Sequence, residues 1–337
     1  LNIKENKEHS KIAFYESILL NLNDNNLFLQ TASLKENKLD VSISTSQYRN
    51  AIRSSSYAAS IAQKVAAKHE MDVNQINITQ INAGIELNKI KYIANHINND
   101  NLPVELLIRN TTLESGDPLG FMDDEFKPNI DFPVIFSSIS PSLVTHIGNP
   151  EKFFFGGINL QHISEIQFSR NILLSTEFNA RVYGDFDNTI SGPGSVMEHV
   201  RTDLVEYLKE DDIVISRMQL DYVWSPRKDT YAKLSGGIYE TMFAGYGIET
   251  LYKPFGKNYS LGFELFHVKQ RSFEQRFSFQ DYNTVTGHLN FGYSLPLGIE
   301  SNISYGRYLA KDDGFTFDLG RRTKSGFKAG IYFTRTN

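Results

Sequence analysis

Residues 171–186, with the sequence NILLSTEFNARVYGDF, alternate between apolar and polar side chains. The apolar positions are Ile172, Leu174, Phe178, Ala180, Val182 and Phe186. The polar positions are Asn171, Ser175, Glu177, Asn179, Arg181 and Asp185. A repeat of two residues is that of a β-strand, whose side chains point alternately to the two faces of a sheet. This stretch therefore predicts a long strand with one apolar and one polar face.

The same alternation recurs over the rest of the chain. It is present in residues 213–224, 259–265, 282–295, 315–319 and 327–333. Turn-forming residues separate the runs at Ser225-Pro226, Pro254-Phe255-Gly256 and Asp313-Gly314. We predict roughly ten strands, many of about 10 residues, the length that a tilted strand needs to cross a membrane. Residues 131–337 are thus predicted to be mainly antiparallel β, forming a transmembrane outer-membrane β-barrel.

Charged side chains of both signs occupy the polar faces of these strands. They are Glu177, Arg181, Arg217, Asp221, Lys233, Glu249 and Glu264. In a soluble β-sandwich this face would be the hydrated exterior, whereas in a barrel it would line a polar lumen. Aromatic residues near the strand ends resemble the girdle of a membrane barrel and favour the second interpretation. They are Tyr222, Trp224, Tyr252 and Tyr259.

One segment between two strands breaks the alternation. After the turn Ser191–Gly194, the residues Val200, Leu204 and Leu208 lie four apart, which predicts a short amphipathic helix over 199–208. This segment would fold into the lumen, pack under the barrel or decorate a long loop. Its candidate plug residues are Val200, Arg201, Asp203 and Tyr207.

The first third of the chain mixes helical and strand periods. Phe14, Ile18 and Leu22 repeat every four residues behind Ser10, which predicts a capped helix. A second helix is predicted over Gln47–Lys68, capped by Ser46. Its buried face should carry Ile52, Ala59, Ala62 and Ala66.

Short strands are predicted in the same region around Leu39–Ile43 and at Ile76–Ile81, Ile85–Ile90 and Val104–Ile108. Residues 1–115 therefore form a small α+β domain in this interpretation. Residues 116–130 carry Gly116, Pro118, Gly120 and the acidic run Asp123-Asp124-Glu125, which predicts a linker.

Composition excludes several function classes. The net charge of −5 and the isoelectric point near 5.9 provide no basic face for nucleic acid. Cysteine is absent, which excludes disulfides and thiolate sites. The sequence contains no run of 18 apolar residues, so no transmembrane helix is predicted. The chain begins at Leu1 without a visible signal peptide, so we expect a processed or shortened sequence.

No motif of a known catalytic chemistry is present. The eight histidines are scattered without an HExxH pair, and neither a GxSxG elbow nor a Walker loop occurs. We therefore expect no enzyme activity, cofactor or metal. Calcium at Asp123–Glu125 or at Asp185 and Asp187 is a weaker alternative, because neither site has EF-hand spacing. Glycosidase activity based on a pair of carboxylates stays an open alternative, since the distance between two carboxylates in space does not follow from a sequence.

An ordered series of motifs in residues 130–337 resembles the YjbH-type, GfcD-like outer-membrane proteins. The series is Val200–Asp203, Arg217–Trp224 (RMQLDYVW), Tyr231–Ser235, Gly245–Glu249, Leu251–Gly256, Val268–Arg271, Asp281–His288 and Gly306–Ala310. The leading α/β segment is similar to the domain that joins two barrels in that family. Family members are longer, so the resemblance implies that an upstream barrel and the terminal aromatic strand are missing from this sequence.

The resemblance implies a role in exopolysaccharide or capsule export or surface assembly, without catalysis. Its expected setting is the bacterial outer membrane, lipoprotein-like, with the N-terminal domain in the periplasm. The expected partners are a surface polysaccharide, outer-membrane lipid and other periplasmic export proteins. Candidate lumen contacts to the polysaccharide are Arg181, Arg217, Asp221, Glu249 and Arg271. A general diffusion pore and a soluble carbohydrate-binding or carbohydrate-cleaving β-sandwich are the alternatives.

Overall fold

Two separate sheets follow from the two sequence patterns. The computed structural model describes residues 3–45, 48, 50–99, 110–117, 124–149, 151–190, 198–210, 213–323 and 327–337. Contacts between residues divide the chain into two compact units. The first unit consists of residues 1–131 and 225–229, and the second consists of residues 132–224 and 230–337.

Among the described residues, the first unit is a five-stranded sheet with two helices. Its elements are α1 (Ile3–Asn23), β1 (Leu27–Lys35), β2 (Lys38–Thr45), α2 (Ala51–Lys68), β3 (Gln75–Asn82), β4 (Ile85–Ile93) and β5 (Thr112–Ser115). The sheet order is β1-β2-β3-β4-β5. Only β2 and β3 run parallel, and α2 connects them, because a parallel pair needs a crossover.

Both helices pack their apolar positions into one core with this sheet. Phe14, Ile18 and Leu22 of α1 are fully buried, as the spacing of four predicted. Small alanines of α2 allow close packing, and Ala58 and Ala62 are fully buried in the same cluster. The predicted α+β character of this region is confirmed.

Both helix starts differ from the prediction. The first helix begins at Ile3, so Ser10 lies inside it and not at its N-terminus. The second begins after Asn50, whose side-chain oxygen accepts a hydrogen bond from the Arg53 amide at 3.1 Å. Ile52 was predicted to be buried but is 57% exposed. The predicted cap Ser46, the start Gln47 and the predicted strand Val104–Ile108 lie outside the described residues.

The sequence pattern did not predict β1. Its alternation is interrupted by a register shift between Leu29 and Thr31, where a bulge places Thr31, Ala32 and Ser33 consecutively in buried positions. A strand interrupted in this way loses the period of two that identifies strands in a sequence.

The segment predicted as a linker belongs to the first unit where it is described. The backbone of Phe126 forms two hydrogen bonds with Ala32, of 2.8 and 2.9 Å, and so extends the edge at β1. The Tyr15 hydroxyl donates to Glu125 at 2.7 Å, and Lys11 lies 3.4 Å from the same carboxylate. Where it is described, the segment predicted as a linker is therefore packed on the first unit. Residues 118–123 lie outside the described residues.

The second unit is a single antiparallel sheet of eleven strands. They are β6 (Val134–Ile147), β7 (Phe154–Ser169), β8 (Ile172–Gly184), β9 (Val214–Arg227), β10 (Thr230–Ile238), β11 (Phe243–Tyr252), β12 (Tyr259–Arg271), β13 (Phe279–Leu295), β14 (Ile299–Arg307), β15 (Asp313–Arg322) and β16 (Lys328–Thr336). A short helix, α3 (Leu204–Lys209), lies between β8 and β9.

Strands adjacent in sequence are adjacent in this sheet, from β6 at one edge to β16 at the other. Mainly antiparallel β structure is thus confirmed. No pairing of β6 with β16 is present among the described residues, so a closed barrel is not found. The same part of the chain contains no helix that is both long and apolar enough to span a membrane.

The connections define two ends of this sheet. At one end, which we call the short-turn end, lie the tight connections 170–171, 228–229, 253–258 and 296–298. Ser225-Pro226 was predicted as a turn but lies in β9, and the chain reverses at Asp229, which has a φ of 60°. Asp313-Gly314 likewise begins β15, after a turn with Lys311 at a φ of 66°. The predicted turn at Pro254–Gly256 is confirmed, with Gly256 at a φ of 70°.

We predict that Ile18→Ala lowers the free energy of unfolding of the first unit by about 2–5 kcal/mol, because it opens a cavity in a closed core. Ile12→Ala, on an exposed position of the same helix, should cost less than about 0.5 kcal/mol. Far-ultraviolet circular dichroism during urea unfolding measures both. Equal losses for the two variants would contradict the core assigned to α1.

A second prediction concerns acid stability of the same unit. Burial raises the pKa of the Glu125 carboxyl, but the Tyr15 hydrogen bond and Lys11 outweigh it, so the net pKa is lowered. The stabilisation is therefore complete above the unfolded pKa of about 4.3 and is lost as pH falls through the folded value. Glu125→Gln should reduce the fall of Tm between about pH 6 and pH 3. Glu16→Gln, on the exposed side of α1, is the control and should leave the acid dependence as in the wild type.

Candidate functional site

The apolar face of the second sheet is its more exposed face. One cross-strand row consists of Leu261, Phe291, Ile303, Phe317 and Phe333, which are paired in register from β12 to β16. Each of these side chains is between 37% and 57% exposed. Soluble domains bury such rows against a second layer. No described element of this unit covers the row.

The opposite, polar face carries hydroxyl, amide and charged groups in the alternate positions. The next row, from β13 to β16, consists of Asn290, Ser304, Thr316 and Thr334. Ser304 donates to Asn290 at 2.5 Å, and the hydroxyls of Thr316 and Thr334 lie 2.8 Å apart. This polar face is the candidate functional site.

A row of four charged or titratable residues crosses the polar face near its centre. Register places Lys233, Glu249, Glu264 and His288 side by side on β10 to β13. Lys233 forms an ion pair with Glu249, and His288 Nδ1 lies 2.9 Å from Glu264 Oε1. Each carboxylate thus has its own partner, which offsets the repulsion expected between two glutamates directly opposite each other. Such a row presents an ammonium group, two carboxylates and an imidazole to any polymer along the face.

Two of the predicted contact residues, Arg217 and Asp221, are joined on β9 of this face. Arg217 donates to Gln219 at 2.7 Å, and Gln219 donates to Asp221 at 2.7 Å. On the neighbouring strand β8, Glu177 accepts from Gln161 of β7 at 2.8 Å and from Asn179 of β8 at 3.0 Å. The predicted residue Glu249 belongs to the charged row and not to this group. All three remain predictions as polysaccharide contacts.

Arg181 and Arg271 have a different environment from the one predicted. Arg181 donates to the backbone carbonyls of Leu208 and Lys209, the latter at 3.1 Å, and its guanidinium lies over the Phe186 ring. It therefore binds the C-terminal end of α3, where carbonyl groups lack helical partners.

Arg271 is fully buried and binds the backbone of β9 and of two connections. Its Nη1 donates to Ile215 at 2.8 Å and to Glu240 and Thr241 at 3.0 Å. Its Nη2 donates to Arg276 at 3.0 Å. A guanidinium without exposed surface cannot contact a polymer in this conformation, so the structure gives Arg271 a positioning role in place of the predicted contact.

Residues 198–210 pack on the polar face at the end opposite the short turns. Tyr207 is buried in an apolar cluster with Met242, Phe243 and Val268. The Tyr207 hydroxyl donates to the Arg271 carbonyl at 2.5 Å, and Gln275 donates to the Tyr207 carbonyl at 2.7 Å. Since Phe243 is paired with Gln270 in the register of the polar face, the segment covers one end of that face.

The helix within this segment is shorter than predicted. It spans Leu204–Lys209, and its buried side chains are Val205 and Tyr207, whereas Leu204 is exposed. The candidate plug residues are held nearby. Val200 packs against the apolar cluster, Arg201 lies 2.6 Å from Glu240, and Asp203 lies 3.0 Å from His199. The turn Ser191–Gly194 lies outside the described residues.

A metal centre is not formed by the residues that the structure describes. No group of three or more His, Asp or Glu side chains in that part of the chain is arranged to hold an ion. Of the two acidic sites weighed for calcium, Asp185 forms an ion pair with Lys152 and accepts from the Gly156 amide at 3.0 Å. Asp123 lies outside the described residues.

Comparison with known proteins gives one family and one relative. Residues 3–337 match the YjbH family model, described as "Exopolysaccharide biosynthesis protein YbjH". Among curated proteins, a match is the "Uncharacterized lipoprotein YjbH" of Escherichia coli (strain K12), 28% identical over 274 residues. The match covers 78% of this chain and 38% of that relative, so the chain spans well under half of its length.

We predict that Arg271→Met releases residues 198–210 from the polar face, because it leaves four backbone carbonyls without their donor. Removing one partner of a charged hydrogen bond costs about 1–3 kcal/mol. Amide exchange in 198–210 should accelerate by about tenfold or more, since 1.4 kcal/mol is a factor of ten in an equilibrium constant. Tyr207→Phe, which deletes one hydroxyl, should give a smaller effect in the same segment. Arg321→Met, at an exposed position of β15, is the matched control. If amide exchange in residues 198–210 is no faster in Arg271→Met than in Arg321→Met, the role of Arg271 is refuted.

Proposed function

Since the chain belongs to the YjbH exopolysaccharide biosynthesis family, we propose that it is a non-enzymatic outer-membrane β-protein involved in export or surface assembly of exopolysaccharide. Its apolar face would contact lipid and its polar face the polysaccharide. The first unit would lie in the periplasm and meet other export proteins there. The lipoprotein title of the Escherichia coli relative supports association with a membrane.

The distribution of polarity in the second unit carries this proposal. A row of exposed Leu, Phe and Ile side chains crosses five strands, and the polar residues lie on the other face. Exposing such a continuous apolar surface to water is unfavourable, by about 25 cal/mol for each Å². Lipid removes that cost, and membrane β-sheets show this apolar-outside, polar-inside alternation. A soluble sandwich would need a second sheet over the apolar row.

Strand length and aromatic position support the same setting. Strands β6 to β9, β12 and β13 have 13 to 17 residues. They are long enough to cross the hydrocarbon core of a membrane, for which a tilted strand needs roughly 9–11 residues. Tyr222 and Trp224 stack at 5.2 Å near the short-turn end, where Tyr252 and Tyr259 also lie. Aromatic rings favour the interface between hydrocarbon and water.

The polar face suits a polyhydroxylated polymer. Sugar hydroxyls both donate and accept hydrogen bonds, and amide, hydroxyl and carboxylate groups on the face can do the same or accept. Charged groups of both signs lie on the face, such as the Lys233–Glu249 ion pair, so it offers polar contacts without strong attraction for one sign of charge. This arrangement favours weak, repeated contacts along a chain.

The proposal predicts opposite results for two neighbouring substitutions on β14. Ile303→Arg places a charge on the proposed lipid face and should cost about 2–4 kcal/mol near the membrane midplane, reducing recovery in the outer membrane. Ser304→Arg places the same charge on the polar face and should be tolerated. Fractionation followed by gel mobility with and without boiling measures both, and a heat-modifiable band is expected for the native protein. Recovery in the soluble fraction, with both variants equally soluble, would favour the sandwich.

Polysaccharide secretion in a deletion strain separates export from general diffusion. A role in export predicts loss of cell-surface polymer, restored by the native protein. Ion conductance in bilayers together with unchanged secretion would instead identify a diffusion pore.

A further inference from the structure

A polar pocket of about 510 Å³ lies on the polar face at the short-turn end of the second sheet. Strands β12 to β16 and the connection before β12 provide its walls. The polar lining residues are Lys253, Asn258, Ser260, Glu300, Asn302, Asp318 and Lys328. Its volume is within the range of about 300–1,000 Å³ that is typical of small-molecule sites.

Glycine keeps the floor of this pocket open. Gly292 of β13 lies between Ser260 and Asn302 in the register of the sheet. A Cβ atom at position 292 would lie 2.5 Å from Ser260 Oγ, closer than two such atoms approach. Any larger residue would therefore displace the wall and occupy the space. The pocket exists because a side chain is missing at this position.

The charges around the pocket are balanced. Lys253 and Lys328 contribute two ammonium groups, and Glu300 and Asp318 contribute two carboxylates. None of these four side chains forms an ion pair or hydrogen bond within the described residues. This contrasts with the central row of the same face, where Lys233 and Glu249 satisfy each other. The groups around the pocket thus remain available to a ligand.

This set of groups excludes several ligand classes by electrostatics. A phosphate or carboxylate ligand would meet Glu300 and Asp318, and a divalent cation would meet the two lysines. An apolar ligand would bury polar groups without partners, at a cost of about 1–3 kcal/mol for each. An uncharged molecule with several hydroxyls can donate to the carboxylates and accept from the ammonium and amide groups at once.

We propose that this pocket is a subsite for an uncharged hexose unit of the polysaccharide, an inference that rests on the function proposed above. Its ring hydroxyls would accept from Lys328 and Asn302 and donate to Asp318 and Glu300. The subsite lies at the short-turn end, where the chain also enters the sheet at Val134. It would hold the polymer at that end of the polar face, away from the 198–210 segment.

The test uses the full chain in detergent and measures binding of glucose, galactose and mannose hexasaccharides by saturation-transfer NMR and calorimetry. We expect at least one of these neutral oligomers to bind more tightly than a galacturonate hexamer or inorganic phosphate. Asp318→Asn and Lys328→Met should each weaken that binding by about tenfold, because each removes a charged hydrogen-bond partner worth about 1.4 kcal/mol or more. Glu274→Gln, at an exposed position of the β12–β13 connection, is the matched control.

Several results would overturn the subsite. They are the absence of binding by all three neutral oligomers, tighter binding of galacturonate or phosphate, and equal binding by the Asp318→Asn, Lys328→Met and Glu274→Gln proteins. Unchanged heat-modifiable mobility of the variants ensures that lost binding is not lost folding. If fractionation and secretion support the export role but these titrations fail, only the subsite is wrong. If binding succeeds in a protein recovered from the soluble fraction, the subsite stands and the membrane proposal fails.

Discussion

The antiparallel register of the second sheet is the constraint on which the rest of its structure depends. Because each residue faces its partner directly, alternate positions on neighbouring strands add up to continuous rows. One row brings Leu261, Phe291 and Ile303 together, and the adjacent row brings Asn290 and Ser304 together. A shift of one residue on any strand would exchange the faces. The separation of apolar from polar surface is therefore a property of the whole sheet.

The connections at the end opposite the short turns depend on a buried cation as well as on the apolar cluster around Tyr207. Arg271 binds carbonyls of β9 and of two connections, and its own carbonyl accepts from Tyr207. Charged hydrogen bonds of this kind are stronger than neutral ones, but only while every partner stays in place. Beside this small apolar cluster, a hydrogen-bonded arginine positions irregular backbone.

Periodic patterns predicted the elements, while contacts between distant residues did not follow from sequence. The strands containing Leu174 and Leu220 alternate over most of their length, in spite of a register shift near Phe178, and were predicted, whereas the bulged strand at Thr31 was not. Charge on the polar face was visible from Arg217 and Glu249. The pairing of Glu264 with His288 was not, because it depends on the register of two strands. The burial of Arg271 could not be predicted either, since its four acceptors are backbone carbonyls, which every residue type has.

The number of strands has a geometric consequence. In a meander, successive strands alternate in direction, so an odd count gives the two border strands the same direction. Eleven strands are paired here, and β6 and β16 consequently point the same way. Were these two borders to join directly, they would form the single parallel ladder of an otherwise antiparallel sheet. A closed cylinder with antiparallel pairing throughout requires an even number of strands, so the eleven strands of the described residues cannot form one by themselves.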